Sequence, residues 1–308
     1  MSGEMGIEAS VRVSAPLLAV LGIATLSGCA ETPHPPAQTP TTQYANGTHG
    51  PVGYDSHVPD FATRNFEPFN RQDAAAIALR EWRMFGNPVA DDDPEDRPEA
   101  SSPALKPERL PGLWQRIGEY WWIGQDPYET EATWTGKQDG DGQRFPAEHD
   151  GHYAWSAAFI SYVMRIAGAN DRFPYSPNHS TYINAAASGQ ATGLRAQDPK
   201  TYIPQLGDIL CVGRGRSRSI TFSMLPTSYG FPSHCGIVVA VNQNAPPFGH
   251  EISIVGGNVD DAVALTHVPT DARGALADAS GQFYDSRYPW LTVLQVLYDA
   301  DREPDSGR

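Results

Sequence analysis

The stretch that decides the fold is HYAWSAAFISYVMRIAG, His152–Gly168. Trp155, Phe159, Tyr162, Val163 and Ile166 recur at spacings of three and four, the period of a helix with one buried face, and Gly168 supplies a stop. Ser156 falls in the first turn, where backbone N–H groups lack intrahelical partners and the helix dipole is positive. A cysteine there would gain thiolate character from that field. A serine hydroxyl would not ionise from the field alone, and would need a general base to take its proton. The bland alternative is a serine that caps its own helix.

Around this helix the chain divides by composition. VRVSAPLLAVLGIATLSGCA (11–30) carries one basic residue, Arg12, and then an apolar run from Ala15 to Leu26. The run is too short for a permanent membrane span and fits the hydrophobic region of an export signal over 1–28. Residues 29–65, rich in Pro, Thr and Gly with no apolar period, read as a flexible tether. A globular part follows over 66–300, with a polar tail at 301–308. Within it RQDAAAIALREWRMFG (71–86) and GLWQRIGEYWWIG (112–124) read as amphipathic helices, the latter with Leu113, Ile117 and Trp121 on one face. Residues 87–108 between them read as a solvated acidic linker. Its run Asp91–Asp93 lacks the spaced ligands and central glycine of a calcium loop.

The second half reads as strands. PQLGDILCVG, SHCGIVVAV, the hairpin EISIVGGNVDDAVALTHV and WLTVLQVLY give about five, with no long helix between them. Helices followed by a run of strands predict an α+β fold with an antiparallel sheet.

The order W-S-A-A-F-I-S, then GDI, then H-C-G-I-V-V, then GGN resembles the papain-like fold of NlpC-type and CHAP cell-wall hydrolases. Those enzymes carry a cysteine in the first helix, a histidine opening a strand and a polar residue on the next strand. The resemblance implies Ser156 at the nucleophile position, His234 as base and Asn258 as orienting residue. More narrowly, AWSAAFISYVMRIAG followed by RFPYSPNHSTYI resembles the bacterial family called domain of unknown function 2272, over about Gln72 to Tyr298. LSGC at 26–29 resembles a bacterial lipobox, which implies lipidation of Cys29 and an envelope location, outer membrane facing the periplasm. The resemblances together imply a peptidoglycan amidase or peptidase with serine in place of cysteine. The alternative is an inactive wall-binding or scaffold lipoprotein.

Further candidates surround that site. Trp155, His152 and His179 stand beside or after the first helix, and Ser180 is placed to cap the short helix after His179. Arg214, Arg216 and Arg218 cluster in a loop longer than a hairpin needs, suited to carboxylates or an anionic envelope polymer. The spacing of His152, His179 and His234 matches no metal motif, and no cofactor signature is present. With Cys29 set aside, Cys211 and Cys235 remain, an even count that in an exported protein suggests a disulfide. Alternation puts His234 and Cys235 on opposite faces of their strand. The formal net charge of -14 excludes nucleic-acid binding through a general basic surface. The partners that remain are a membrane, through the lipid, and peptidoglycan or another envelope polymer.

Overall fold

The computed structural model describes residues 69–94, 102–126, 128–146 and 152–297. Among these residues four α-helices precede a six-stranded sheet. The helices are α1 (Arg71–Met84), α2 (Leu113–Gly124), α3 (Ser156–Ile166) and α4 (His179–Ala187). The strands are β1 (Leu194–Gln197), β2 (Ile209–Gly213), β3 (Ser233–Ala245), β4 (Gly249–Val259), β5 (Ala262–Pro269) and β6 (Trp290–Val296). The sheet order is β1-β6-β2-β3-β4-β5 and every pairing is antiparallel. The α+β reading is borne out, with one strand more than expected. LRAQ at 194–197 offers a single buried residue, Leu194, and so carries no strand period. The export signal, Cys29, the tether and the tail lie outside the described residues. Among those described, no helix is long and apolar enough to cross a membrane.

Local chemistry sets the helix ends. Asn70 opens α1 by accepting from the Asp73 backbone N–H at 2.8 Å, and Arg83 sits in the last turn against the negative end of the dipole. α3 departs from the one-faced expectation. Every residue from Ser156 to Met164 is buried, because α1, α2 and the sheet enclose it. A helix apolar all round belongs inside a fold.

Two glycines let α3 meet its neighbours. Gly124 of α2 lies against the α3 backbone, where a Cβ would stand 2.5 Å from the Ala158 carbonyl oxygen. Gly257 of β4 lies against the Phe159 side chain. The main core fills the helix face of the sheet, and a second cluster covers the opposite face with Leu276 and Tyr288 from the segment between β5 and β6.

A buried ion network ties the first three helices. Glu81 of α1, fully buried, accepts from Arg116 of α2 at 2.7 and 2.6 Å and from the Tyr120 hydroxyl at 2.9 Å. Arg116 also donates to the Tyr162 hydroxyl of α3. Burial pushes the Glu81 carboxyl up, but the Arg116 guanidinium outweighs it and holds the group below its ordinary value.

The segment 87–108 is not a solvated linker where it is described. Val89 bridges Leu265 of β5, and Ala90 N–H donates to the Leu265 carbonyl at 2.9 Å. The Asp91 carboxylate accepts the His267 backbone N–H at 2.8 Å and contacts its Nδ1 at 2.8 Å. At the far end, Pro103–Leu105 and Pro107–Arg109 form 3₁₀ turns. Partners at 176 residues' separation satisfy these polar groups, which no local pattern shows.

Candidate functional site

The start of α3 builds the site. Trp155 takes the N-cap position without a side-chain cap, so Ser156 is the first helical residue. Ser156 is buried, and its Oγ lies 2.6 Å from His179 Nε2. The hydroxyl therefore bonds across to α4 and does not cap its own helix. Trp155 is core: it is 1 % exposed, packs near Phe85 and Tyr120, and donates its Nε1–H to Glu108 Oε2 at 2.9 Å. Its expected place in the groove wall is corrected accordingly.

His179 opens α4, with Asn178 at the N-cap and Ser180 inside the first turn, so Ser180 is not the cap. Three residues on, one turn away, the Tyr182 hydroxyl makes a short contact with His179 Nδ1. Tyr182 is fully buried and His179 nearly so. Burial, then the Arg214 charge, pushes the His179 imidazole down to about 3, so it is neutral at physiological pH. Protonating it costs about 5 kcal/mol more than protonating an ordinary histidine.

Ser156 and His179 stand in the wall of a cavity of about 1070 Å³. His152, Arg214, Asn258 and Glu108 share that wall, as does Trp121, whose buried Nε1–H has no partner among the described residues. Asp260 and Asp261 of the β4–β5 turn also line it. Lys106 joins Asp261 at 3.2 Å, linking the 3₁₀ segment to that turn.

The expected grouping of Ser156, His234 and Asn258 is not the arrangement observed. His234 pairs with Val212 on the neighbouring strand and lines a second, small cavity with Val212, Ile254 and Trp290, on the sheet face away from the main core. Its ring meets that of His179 edge-on, centroids 5.6 Å apart, but the hydroxyl contact to Ser156 is made by His179. Strand alternation explains this, since Cys235 and Ile237 take the helix-side positions.

Asn258 adopts a left-handed conformation at φ 55° and reaches the main cavity, with no hydrogen bond to either imidazole among the described residues. The preceding glycines are explained by crowding. A Cβ on Gly256 would stand 2.8 Å from His234 Nε2, and one on Gly257 2.5 Å from Phe159 Cβ.

The arginine cluster separates in space. Arg214 lines the main cavity, Arg216 is exposed on the surface, and Arg218 donates to the Arg287 carbonyl at 3.3 Å. Cys211 and Cys235 face each other across β2 and β3 and are bonded. Among the described residues no group of three His, Cys, Asp or Glu is arranged to hold a metal ion.

A profile of the family described as "Uncharacterized protein conserved in bacteria (DUF2272)" matches residues 108–296. The chain belongs to this family. The DUF2272 match runs from Glu108 to Val296 and so takes in Trp155, Ser156, His179, Arg214 and Asn258, while α1 with Glu81 precedes it. No curated protein and no solved structure matches the chain. Within the DUF2272 region, sequence reasoning passed over Tyr182, Glu108 and the cavity face of Trp121. The signal for Tyr182 was its helical spacing from His179 in HSTY; Glu108 gave none.

Proposed function

We propose that this DUF2272 domain is a papain-like groove of an envelope lipoprotein that binds peptide- or amide-bearing wall polymer, peptidoglycan first. The observation that carries the reading is Ser156 held on a neutral, buried His179 in the wall of a large polar-lined cavity. Such a floor offers hydrogen bonds and shape to a ligand. Arg214 adds one positive charge suited to a carboxylate. The lipobox-like LSGC and the tether support an anchored protein reaching toward the wall.

A second reading, serine-dependent acyl hydrolysis, is favoured by the 2.6 Å contact and by a start of α3 that no side chain caps, which leaves first-turn N–H groups for a developing oxyanion. Against it stands the base. An efficient general base titrates near the working pH, and His179 lies far below, with a phenol in place of a carboxylate on its other nitrogen.

The test incubates the full chain, in detergent, with purified peptidoglycan, and measures both retention on the sacculus and soluble products by mass spectrometry. We expect retention, weakened by Ser156→Ala, without new products. Products that disappear in both Ser156→Ala and His179→Ala would establish the hydrolytic reading instead. Absence of retention would overturn the wall-polymer assignment.

A further inference from the structure

The contacts of Tyr182, His179 and Ser156 fix more than position. A neutral imidazole has one N–H and one acceptor nitrogen, so the proton lies either toward Ser156 or toward Tyr182. Tyr182 decides between them. Its hydroxyl is fully buried, and His179 is its one hydrogen-bond partner among the described residues. If Nδ1 carried the proton, the phenol would accept it and its own O–H would be stranded in the core, a costly arrangement. If Nδ1 is the acceptor, the phenol donates and every group is satisfied.

We propose that Tyr182 is a positioning residue that holds His179 with its proton on Nε2, so that Ser156 Oγ accepts from the imidazole and its own O–H is left to donate into the cavity. The proposal deepens the binding reading and rests on it for the role of the cavity. In this arrangement Nε2 cannot take the serine proton, and the floor of the cavity offers a donor, Ser156 Oγ–H. Arg214 lines the same cavity and brings a positive charge to it. The chemistry this part of the wall recognises is an acceptor oxygen: an amide carbonyl or a carboxylate.

The test is nitrogen NMR of the full chain labelled with ¹⁵N-histidine, at pH 7 and without ligand, read through two-bond ¹H–¹⁵N correlations. The His179 signals are assigned by their loss in His179→Gln. We expect a protonated Nε2 and an unprotonated Nδ1 on His179, with the preference weakened in Tyr182→Phe, which keeps the ring and removes the donor. A native His179 protonated on Nδ1 overturns the proposal, whatever Tyr182→Phe does. A native Nε2–H pattern unchanged in a folded Tyr182→Phe also overturns it, because some other group would then set the proton. The spectrum is independent of wall binding. Failure of peptidoglycan retention would therefore reject the function while leaving the tautomer standing, and the reverse holds equally.

Discussion

Gly257 of β4 and Phe159 of α3 approach so closely that a methyl group on the glycine would stand 2.5 Å from the phenylalanine Cβ. This contact seats the first turn of α3 on the sheet, and with it Ser156. Gly257→Ala forces the helix start away. We expect a loss of about 1–3 kcal/mol in urea denaturation, the range for overpacking a core, together with weakened peptidoglycan retention. A variant as stable and as retentive as the native chain would show that the contact does not position the site.

Removing Glu81 should hurt more. Glu81→Ala takes from Arg116 its buried carboxylate and leaves it only the half-exposed Glu119, and we expect a loss of about 3 kcal/mol at pH 7. The pH dependence follows from the direction of the shift. The folded carboxyl lies below its ordinary value, so its stabilisation is present above about pH 4.3 and is lost as pH falls through the lower folded value. The difference between native and Glu81→Ala chains should therefore shrink on acidification. A constant difference down to pH 2 would disprove the linkage.

His179 acts in a separate window. Its folded value of about 3 lies below the unfolded 6.5, so between them the unfolded chain binds a proton that the folded chain refuses. Stability is unaffected by this group above pH 6.5 and falls as pH drops below it. At pH 5 the native chain should have lost about 2 kcal/mol through this group. His179→Gln should show less loss between pH 7 and pH 5 in parallel denaturant titrations. Identical pH slopes would mean that His179 titrates normally.

The Cys211–Cys235 bond closes a separation of 24 residues, which in the chain-entropy model stabilises by about 3.5 kcal/mol. Thiol titration of the unreduced, folded chain should find neither cysteine reactive, and reduction should lower the denaturation midpoint. Two reactive thiols would contradict the pairing.

What could be read from the chain was what repeats locally. The apolar spacing of α3, the stripe of α1 and the alternation around Ile209 and Ile237 each announce themselves within a dozen residues, and they carry the α+β class. The partner of Ser156 did not. HCGIVV draws attention to His234 because it opens a strong strand, yet alternation turns that residue toward the far face. His179 sits in an unremarkable NHS, and nothing short of the seating of α4 on the sheet brings it to the serine. Glu81 did leave a trace, as a charge on the apolar stripe of Ala74 and Ala78. Asp91 left none, because its partner His267 lies in the other half of the chain.

The seating of Val89–Asp91 along β5 has a further consequence. An outermost strand left bare offers unpaired N–H and C=O groups to any passing chain and so templates aggregation. Here the protein occupies part of that margin with its own upstream segment, while the opposite margin is the four-residue β1. Colloidal stability is thus written into residues 88–91, ahead of the region the family profile matches. A version of the protein trimmed to begin at Glu108 would lose α1 from the core and Lys106 from the cavity wall, and would also present β5 uncovered to its neighbours in solution.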